Sequence, residues 1–598
     1  MKKILSFLLI LTLAIGILPG LAEGDLVQLP RNETLSYFGL AWGTASSYNP
    51  LEAGGNVGMG IGGGRFLVYE SLYMYNMLTN ENEPLIAESA AVLSEDGTRY
   101  TVKLKENVTF NDGTPCLAKD VKFSYDVHDT TKFADIVTPS PDIFTYIKEV
   151  VVVDDYTLEF VLNQDNYNPL LAASYLTTVP ILPEAVWMPR WEKHGPAMTK
   201  LFNEDTVATG PYKHFASDAV RQILIRVDTY WGQAENMFGK LAKPKYISHD
   251  ILANNDAGAI AFGEGRIDIN QQFLANVETY MNSMKDENGN SLVNTYYNEP
   301  PHHLGWGMPS MVINLNKPGL SDPVVRKALA LCLDYEAIAI NAMSGYTAPM
   351  KMAYINAYLF EDYIDWDNEE MQALMWDTTD LSGNVAEANR LLDEAGYLDV
   401  DGDGLREMPD GSKIEWKASC PAGWSDWNLT LEALVESAKA VGLNVITYFP
   451  EMAIYFNDLY YGHADIGMWT MTPTASVAMP WQAAQFTMYS KGIPPIGEYA
   501  ARNYNRFHSD RLDELVELSM TETDMEVLRE YYTEINIIWL ENLPYVPFMY
   551  RPQVFQTTYA GYWTGFVSGK DNSTIPPMLC MDQAGIRELY LLEPTGRE

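Results

Sequence analysis

The sequence predicts an α/β protein folded as two or more lobes, and three observations carry that expectation. The chain has 598 residues, beyond the size at which a single hydrophobic core keeps growing. Ile414 to Ser419, the helical run Leu429 to Val441 and the apolar run Leu443 to Phe449 follow one another as strand, helix and strand. That order makes a βαβ unit and so a partly parallel sheet. Residues 66 to 184, by contrast, read as an α+β unit rich in antiparallel pairs, a candidate subdomain. A hydrophobic content of 47% supplies apolar material for several cores and excludes a generally disordered chain.

Taken in order, residues 1 to 22 read as an export signal. Lys2 and Lys3 form the charged start, Ile4 to Leu18 the apolar stretch, and Gly20-Leu21-Ala22 a small-residue cleavage site. The first cysteine is Cys116, so lipid attachment at a mature N-terminal cysteine is not expected. No later stretch has the length and apolarity of a membrane span. Polar turns occupy Ser36 to Pro50, and a glycine-rich run extends from Gly54 to Gly64. Gly58, Gly60 and Gly63 fit GxGxxG, but no strand precedes them and no acidic residue follows in a βαβ context. A loop is expected there in preference to a dinucleotide site.

Within the α+β unit, Tyr100 to Leu104 alternates, Ala118 to His128 has helical spacing, and Val150 to Val153 and Tyr156 to Leu162 flank a hairpin at Asp154-Asp155. Strands are then expected at Gln222 to Val227 and Tyr246 to Ile251, and helices at Ala257 to Gly263 and Leu274 to Met284. A strand at Met311 to Leu315 leads through Lys317-Pro318-Gly319 into a helix with Asp322 as N-cap and Pro323 at its first position. Val325, Ala328, Leu329, Cys332 and Leu333 make its apolar face, with Arg326 and Lys327 pointing away. A second helix runs from behind Asp334 to Gly345. Farther on, a helix through Leu391 and Leu392 is expected to be capped by Asn384 and stopped at Gly396. Helices at Asp510 to Leu518 and Met525 to Leu540 precede an extended stretch from Pro544 to Phe548.

Charge and cysteines narrow the function. With 40 basic and 79 acidic side chains the net charge is −39, and loss of Lys2 and Lys3 makes it −39 − 2 = −41. Such a field repels phosphate backbones and anionic lipid, so no nucleic-acid partner is expected. Four cysteines (116, 332, 420 and 580) are too few for a disulfide scaffold; buried thiols or one structural bridge are expected, and no spacing suggests zinc. His302-His303 would point to opposite faces of a strand, a poor metal pair. Neither a GxSxG elbow, an HExxH pair nor a GKS/T loop is present, so the chain is not expected to be an enzyme.

Asp399, Asp401, Asp403 and Gly404 match the first positions of a calcium loop, with Asp410 at the twelfth. Two readings stay open, a structural calcium ion or a solvated acidic turn. No other cofactor is expected.

Several stretches read together resemble the family 5 extracellular solute-binding proteins of ABC importers. Leu67-Val68-Tyr69-Glu70-Ser71-Leu72 followed by Leu85 to Ser89 is similar to the family's opening signature. Asp112-Gly113-Thr114-Pro115, Ala118-Lys119-Asp120-Val121, Thr209-Gly210-Pro211-Tyr212 with Tyr230-Trp231-Gly232, Asp322 to Tyr346 and Ala386 to Arg406 continue it in order. The resemblance implies a two-lobe clamshell with an extra α+β subdomain in the first lobe. Its parts would be residues 25–66, 185–310 and 546–598 for lobe I, 67–184 for the subdomain and 311–545 for lobe II. Crossing strands are expected near Met311 to Leu315 and near Tyr545 to Tyr550. The implied function is capture of a small ligand by hinge closure and delivery to a membrane permease by an exported, soluble monomer.

The same resemblance bears on the ligand. Peptide-binding members carry an aspartate for the peptide ammonium after a tryptophan-bearing strand; the matching stretch here, Asp465 to Pro473, keeps Trp469 but places Thr472 at the aspartate position. A buried ammonium without a carboxylate is costly. Leu29 to Leu35, with Trp42 beyond, resembles the oligosaccharide-binding branch. Aromatic platforms suit the flat faces of sugars. The expected ligand contacts are therefore Trp42 and Trp469, then Trp424 and Trp427 in a loop after a parallel strand, with Thr470 and Thr472 beside them; Trp306 and Trp481 rank lower, as core is the ordinary place for tryptophan. A neutral oligosaccharide is the expected ligand, an oligopeptide the alternative, and a secreted glycan hydrolase the alternative outside the family.

Overall fold

The computed structural model describes residues 27–39, 45, 47–53, 63–218, 220–305, 307–471, 479–522, 524–552, 555–571, 574–577 and 583–597. The expected export signal, the glycine-rich run up to Gly62, Trp42, Trp306, Thr472 and Cys580 lie outside them.

Two mixed sheets organise the chain. The first has seven strands in the order Val293–Thr295, Thr557–Tyr559, Ile269–Asn270, Thr34–Phe38, Tyr246–Asp250, Arg221–Arg226, Tyr212–Ser217. Its centre is parallel, with Thr34–Phe38 between Tyr246–Asp250 and Ile269–Asn270. All five residues of that central strand are buried, as expected of a strand covered on both faces. The second sheet has five strands in the order Val445–Tyr448, Trp416–Ser419, Ile466–Thr470, Pro309–Ile313, Tyr545–Pro547. Trp416–Ser419 pairs in parallel with Val445–Tyr448 across the helix Ser425–Ala440, the βαβ unit read from the sequence. A four-stranded antiparallel sheet, Val92–Leu93, Arg99–Lys103, Thr157–Leu162 and Ile147–Asp154, forms the α+β unit.

The chain leaves the first sheet after Thr295, enters the second at Pro309, leaves it at Pro547 and rejoins the first at Thr557. The two passages are bonded to each other. Pro309–Ile313 pairs antiparallel with Tyr545–Pro547, and Gly307 and Arg551 exchange backbone hydrogen bonds of 2.9 Å in both directions. The first crossing strand therefore begins two residues before the expected Met311.

The cap of the next helix is as read: the Asp322 carboxylate accepts from the Val324 amide and Pro323 occupies the first turn. Arg326 is different, being only 4% exposed. Its guanidinium donates to the carbonyls of Asn542 (2.7 Å), Leu320 (2.9 Å) and Ser321 (2.8 Å). It thus closes the end of the helix Met525–Asn542 from another element. The helix expected behind Asn384 spans Leu381–Glu394 and is capped by Asp380, whose carboxylate accepts from Gly383. Asn384 sits inside it and donates to the carbonyl of Asp377 (2.7 Å).

The joint between the α+β unit and the first lobe explains two of the sequence signatures. Gly210 passes so close to the chain at Leu67 and Val68 that a Cβ would lie 2.5 Å from both carbonyl oxygens. The buried Glu70 carboxylate accepts from the Tyr230 hydroxyl (2.5 Å) and the Trp231 indole N–H (2.9 Å). Burial pushes Glu70 up to about 7, so the folded state favours its protonated form. The resulting stability is complete below the ordinary value near 4.5 and fades as pH rises through about 7. Glu70→Gln, which mimics the protonated acid, is expected to flatten the fall in Tm between pH 4.5 and 7, a term on the order of 3 kcal/mol. Parallel melts of both proteins across that range check it; identical slopes would remove Glu70 from the pH dependence.

Among the described residues Cys116, Cys332 and Cys420 are buried free thiols. No helix of the described residues is long and apolar enough to cross a membrane.

Candidate functional site

In the second lobe the parallel strands Trp416–Ser419 and Val445–Tyr448, with Ile466–Thr470, end on one side of the sheet, where open α/β sheets place their ligands. Aromatic residues gather there. The loop after Trp416–Ser419 brings Trp424 to the start of the helix Ser425–Ala440, with Trp427 in its first turn. Trp469 is the last but one residue of Ile466–Thr470. Phe456 comes from the helix Met452–Tyr460, which packs alongside.

These four rings meet edge to face. Trp424 and Trp427 have centroids 4.9 Å apart at 82°, Trp427 and Trp469 5.9 Å at 77°, and Phe456 and Trp469 4.9 Å at 88°. Trp424 and Phe456 complete the set at 6.3 Å. Such geometry sets the positive edge of one ring against the negative face of another. Trp427 is buried at the back of the group, while Trp424, Phe456, Trp469 and the neighbouring Thr470 are half-buried. Thr470 pairs in register with Pro309, so the group stands at the mouth of the first passage between lobes.

Phe456 was not among the residues expected from the sequence. Its signal was nonetheless present: Met452, Tyr455, Phe456, Leu459 and Tyr460 recur at i, i+3, i+4, i+7 and i+8, one apolar stripe with Asn457 and Asp458 off it.

One carboxylate borders the aromatic group. Asp426, between Trp424 and Trp427, is 1% exposed and lies 2.6 Å from the Arg551 guanidinium of the returning passage. The first lobe reaches the same corner, where the Asn255 amide donates to the Ser425 hydroxyl (3.1 Å). Asp426 is therefore already paired, and its charge is spent inside the protein.

Trp481 belongs to the core. It is 3% exposed, its indole N–H donates to the Val516 carbonyl (2.8 Å), and Tyr146 of the α+β unit packs against it edge on. His302 and His303 have ring centroids 6.4 Å apart. Burial brings His303 down to about 3.

Asp399, Asp401 and Asp403 each place an oxygen within 4.8 Å of the others. The Asp399 carboxylate accepts from the amides of Gly402 (2.7 Å) and Gly404 (3.0 Å). The Lys413 ammonium donates to Asp401 (2.5 Å) and Asp403 (2.9 Å) and lies 2.6 Å from Glu407. Asp410 faces its own turn and accepts from the Ser412 amide and hydroxyl at 2.9 and 2.6 Å. Three of the four carboxylates converge, and a lysine ammonium lies against two of them.

The chain as a whole resembles known proteins. Residues 81–492 match the model of the bacterial extracellular solute-binding proteins, family 5. A probable peptide-binding protein of Agrobacterium fabrum, YejA, is 23% identical over 69% of this chain and 69% of its own. The oligopeptide-binding protein AppA of Bacillus subtilis is 23% identical over 80% of this chain and 81% of its own. Among solved structures, a periplasmic oligopeptide-binding protein of Thermotoga maritima with bound mannohexaose superposes with a TM-score of 0.79. It is 23% identical, over 95% of this chain and 100% of that one. At that identity the likeness establishes the fold, a two-lobe clamshell. With a family match extending over well more than half its length, the chain belongs to the bacterial extracellular solute-binding proteins of family 5.

Proposed function

We propose that this solute-binding protein captures a neutral oligosaccharide between its lobes and hands it, chemically unchanged, to a membrane ABC permease. The observation that carries this reading is the aromatic group Trp424, Phe456 and Trp469, half-buried at the strand ends, beside a carboxylate committed to Arg551. Ring faces at a cleft suit the apolar faces of pyranose rings. A free peptide ammonium, by contrast, needs an available carboxylate, and Asp426 is not available. The mannohexaose in the Thermotoga maritima structure supports the same choice. Hinge closure would follow from contacts that the ligand makes only when both lobes surround it.

An oligopeptide is the second reading, favoured by the names of YejA and AppA. Calorimetry separates the two. The sugar reading expects micromolar binding of mannohexaose or another neutral oligosaccharide and none of a mixed tri- to pentapeptide library. Peptide binding without sugar binding would overturn it. Native mass spectrometry of the purified protein gives an independent answer from the mass of any carried ligand.

A further inference from the structure

Tyr346, at the end of the helices that follow the first crossing, reaches out of its own lobe. Its hydroxyl donates to the Leu274 carbonyl (2.6 Å) and accepts from the Val277 amide (2.8 Å). Nearby, the Ser344 hydroxyl accepts from the Asn276 amide (3.2 Å). Leu274, Asn276 and Val277 belong to a turn of the first lobe, connected through the bridge Lys285–Ser291 to the strand Val293–Thr295 of the seven-stranded sheet. Asn276 is held at φ 51° and its side chain makes no capping hydrogen bond. The Val277 amide therefore has its partner in the other lobe.

The ring of Tyr346 is as central as its hydroxyl. It is 1% exposed and meets Phe273 at 5.9 Å, His302 at 5.6 Å, His303 at 5.2 Å and Phe555 at 6.2 Å between centroids. Phe273 comes from the first lobe, the two histidines from the outgoing passage and Phe555 from the returning one. The first lobe and both passages thus pack on one side chain of the second lobe.

We propose that Tyr346 is the positioning residue of lobe closure, its hydroxyl setting the angle at which the second lobe meets the first. A phenol that donates and accepts at once satisfies a buried carbonyl and a buried amide together. Removing it leaves both unpaired, which disfavours the arrangement in which they face each other. The inference rests on the solute-binding reading, but its first two measurements need no ligand.

The test compares Tyr346→Phe, which keeps the ring, with Tyr335→Phe, whose hydroxyl donates to the Ala330 carbonyl (3.4 Å) and faces the Met352 sulfur (4.0 Å), both in its own lobe. Both are made in the full chain. In Tyr346→Phe, hydrogen exchange at residues 274–277 is expected to rise about tenfold, and small-angle scattering without ligand to shift toward a more open form. Mannohexaose, used as the probe, is expected to bind three- to tenfold more weakly, by roughly the worth of one to two hydrogen bonds. Tyr335→Phe is expected to change none of these. Faster exchange with unchanged scattering would make Tyr346 a local structural residue and overturn the proposal, as would a variant matching the wild type throughout. If the wild type does not bind mannohexaose, the ligand assignment fails while exchange and scattering still decide the role of Tyr346.

Discussion

Truncating Arg551 to alanine is expected to cost about 3 to 5 kcal/mol of stability, because it leaves the buried Asp426 carboxylate without its counter-charge. Asp426 has a side chain only 2% exposed and Arg551 one 16% exposed, so water cannot readily replace the missing guanidinium. The loss also removes the stacking of Arg551 on Phe555 at 4.7 Å. Urea denaturation followed by tryptophan fluorescence measures the effect. The double variant Arg551→Leu with Asp426→Leu should recover much of the loss, since removal of both charges avoids the unpaired one. A single variant within 1 kcal/mol of wild type, an order-of-magnitude margin for an exposed pair, would show that Asp426 is solvated.

Truncating Trp469 to alanine is expected to weaken oligosaccharide binding by about 2 kcal/mol, roughly thirtyfold, the worth of an aromatic anchor at a buried contact. Trp427 makes the contrast. It is 4% exposed at the back of the group, so Trp427→Ala should act chiefly on stability, by about 3 kcal/mol or more through the cavity it leaves. Calorimetry and thermal melts on both variants separate the roles. Equal effects on affinity and melting in the two would mean that Trp469 packs the core and does not face the ligand.

How much of this was legible beforehand depended on how far the deciding contact lies along the chain. The cap at Asp322 and Pro323 is set by neighbours and was read correctly. So was the βαβ unit around Ser425–Ala440, whose turn and strand signals are local. The start of Leu381–Glu394 was misplaced because Asp377, Asp380 and Asn384 all offer capping side chains, and the backbone settled on Asp380. Arg326 could not be read at all. Of its three carbonyl partners, the one that draws it across to another helix, Asn542, is 216 residues away, and helical spacing says only that an arginine off the apolar stripe should face water. The place of Trp424 and Trp427 after a parallel strand was legible, and Trp469 was singled out by the resemblance, but neither their mutual contact nor the pairing of the aspartate between Trp424 and Trp427 was. Phe456 was legible as part of the helical stripe Met452, Tyr455, Phe456, Leu459 and Tyr460, but not its place against Trp469, which only the tertiary fold decides.

The bonded passages between the lobes have a mechanical consequence. Gly307 to Val312 and Tyr545 to Arg551 are tied by ladder hydrogen bonds, so where they meet the second sheet they form one ribbon and not a pair of independent tethers. A two-stranded ribbon bends across its flat face more easily than it shears between its strands, since shear would break the rungs. The lobes should therefore swing about one axis, as a book opens on its spine, with little swivel. Rings on the two facing surfaces then return to the same register at each closing, and a ligand built of repeating units would meet the same spacing every time.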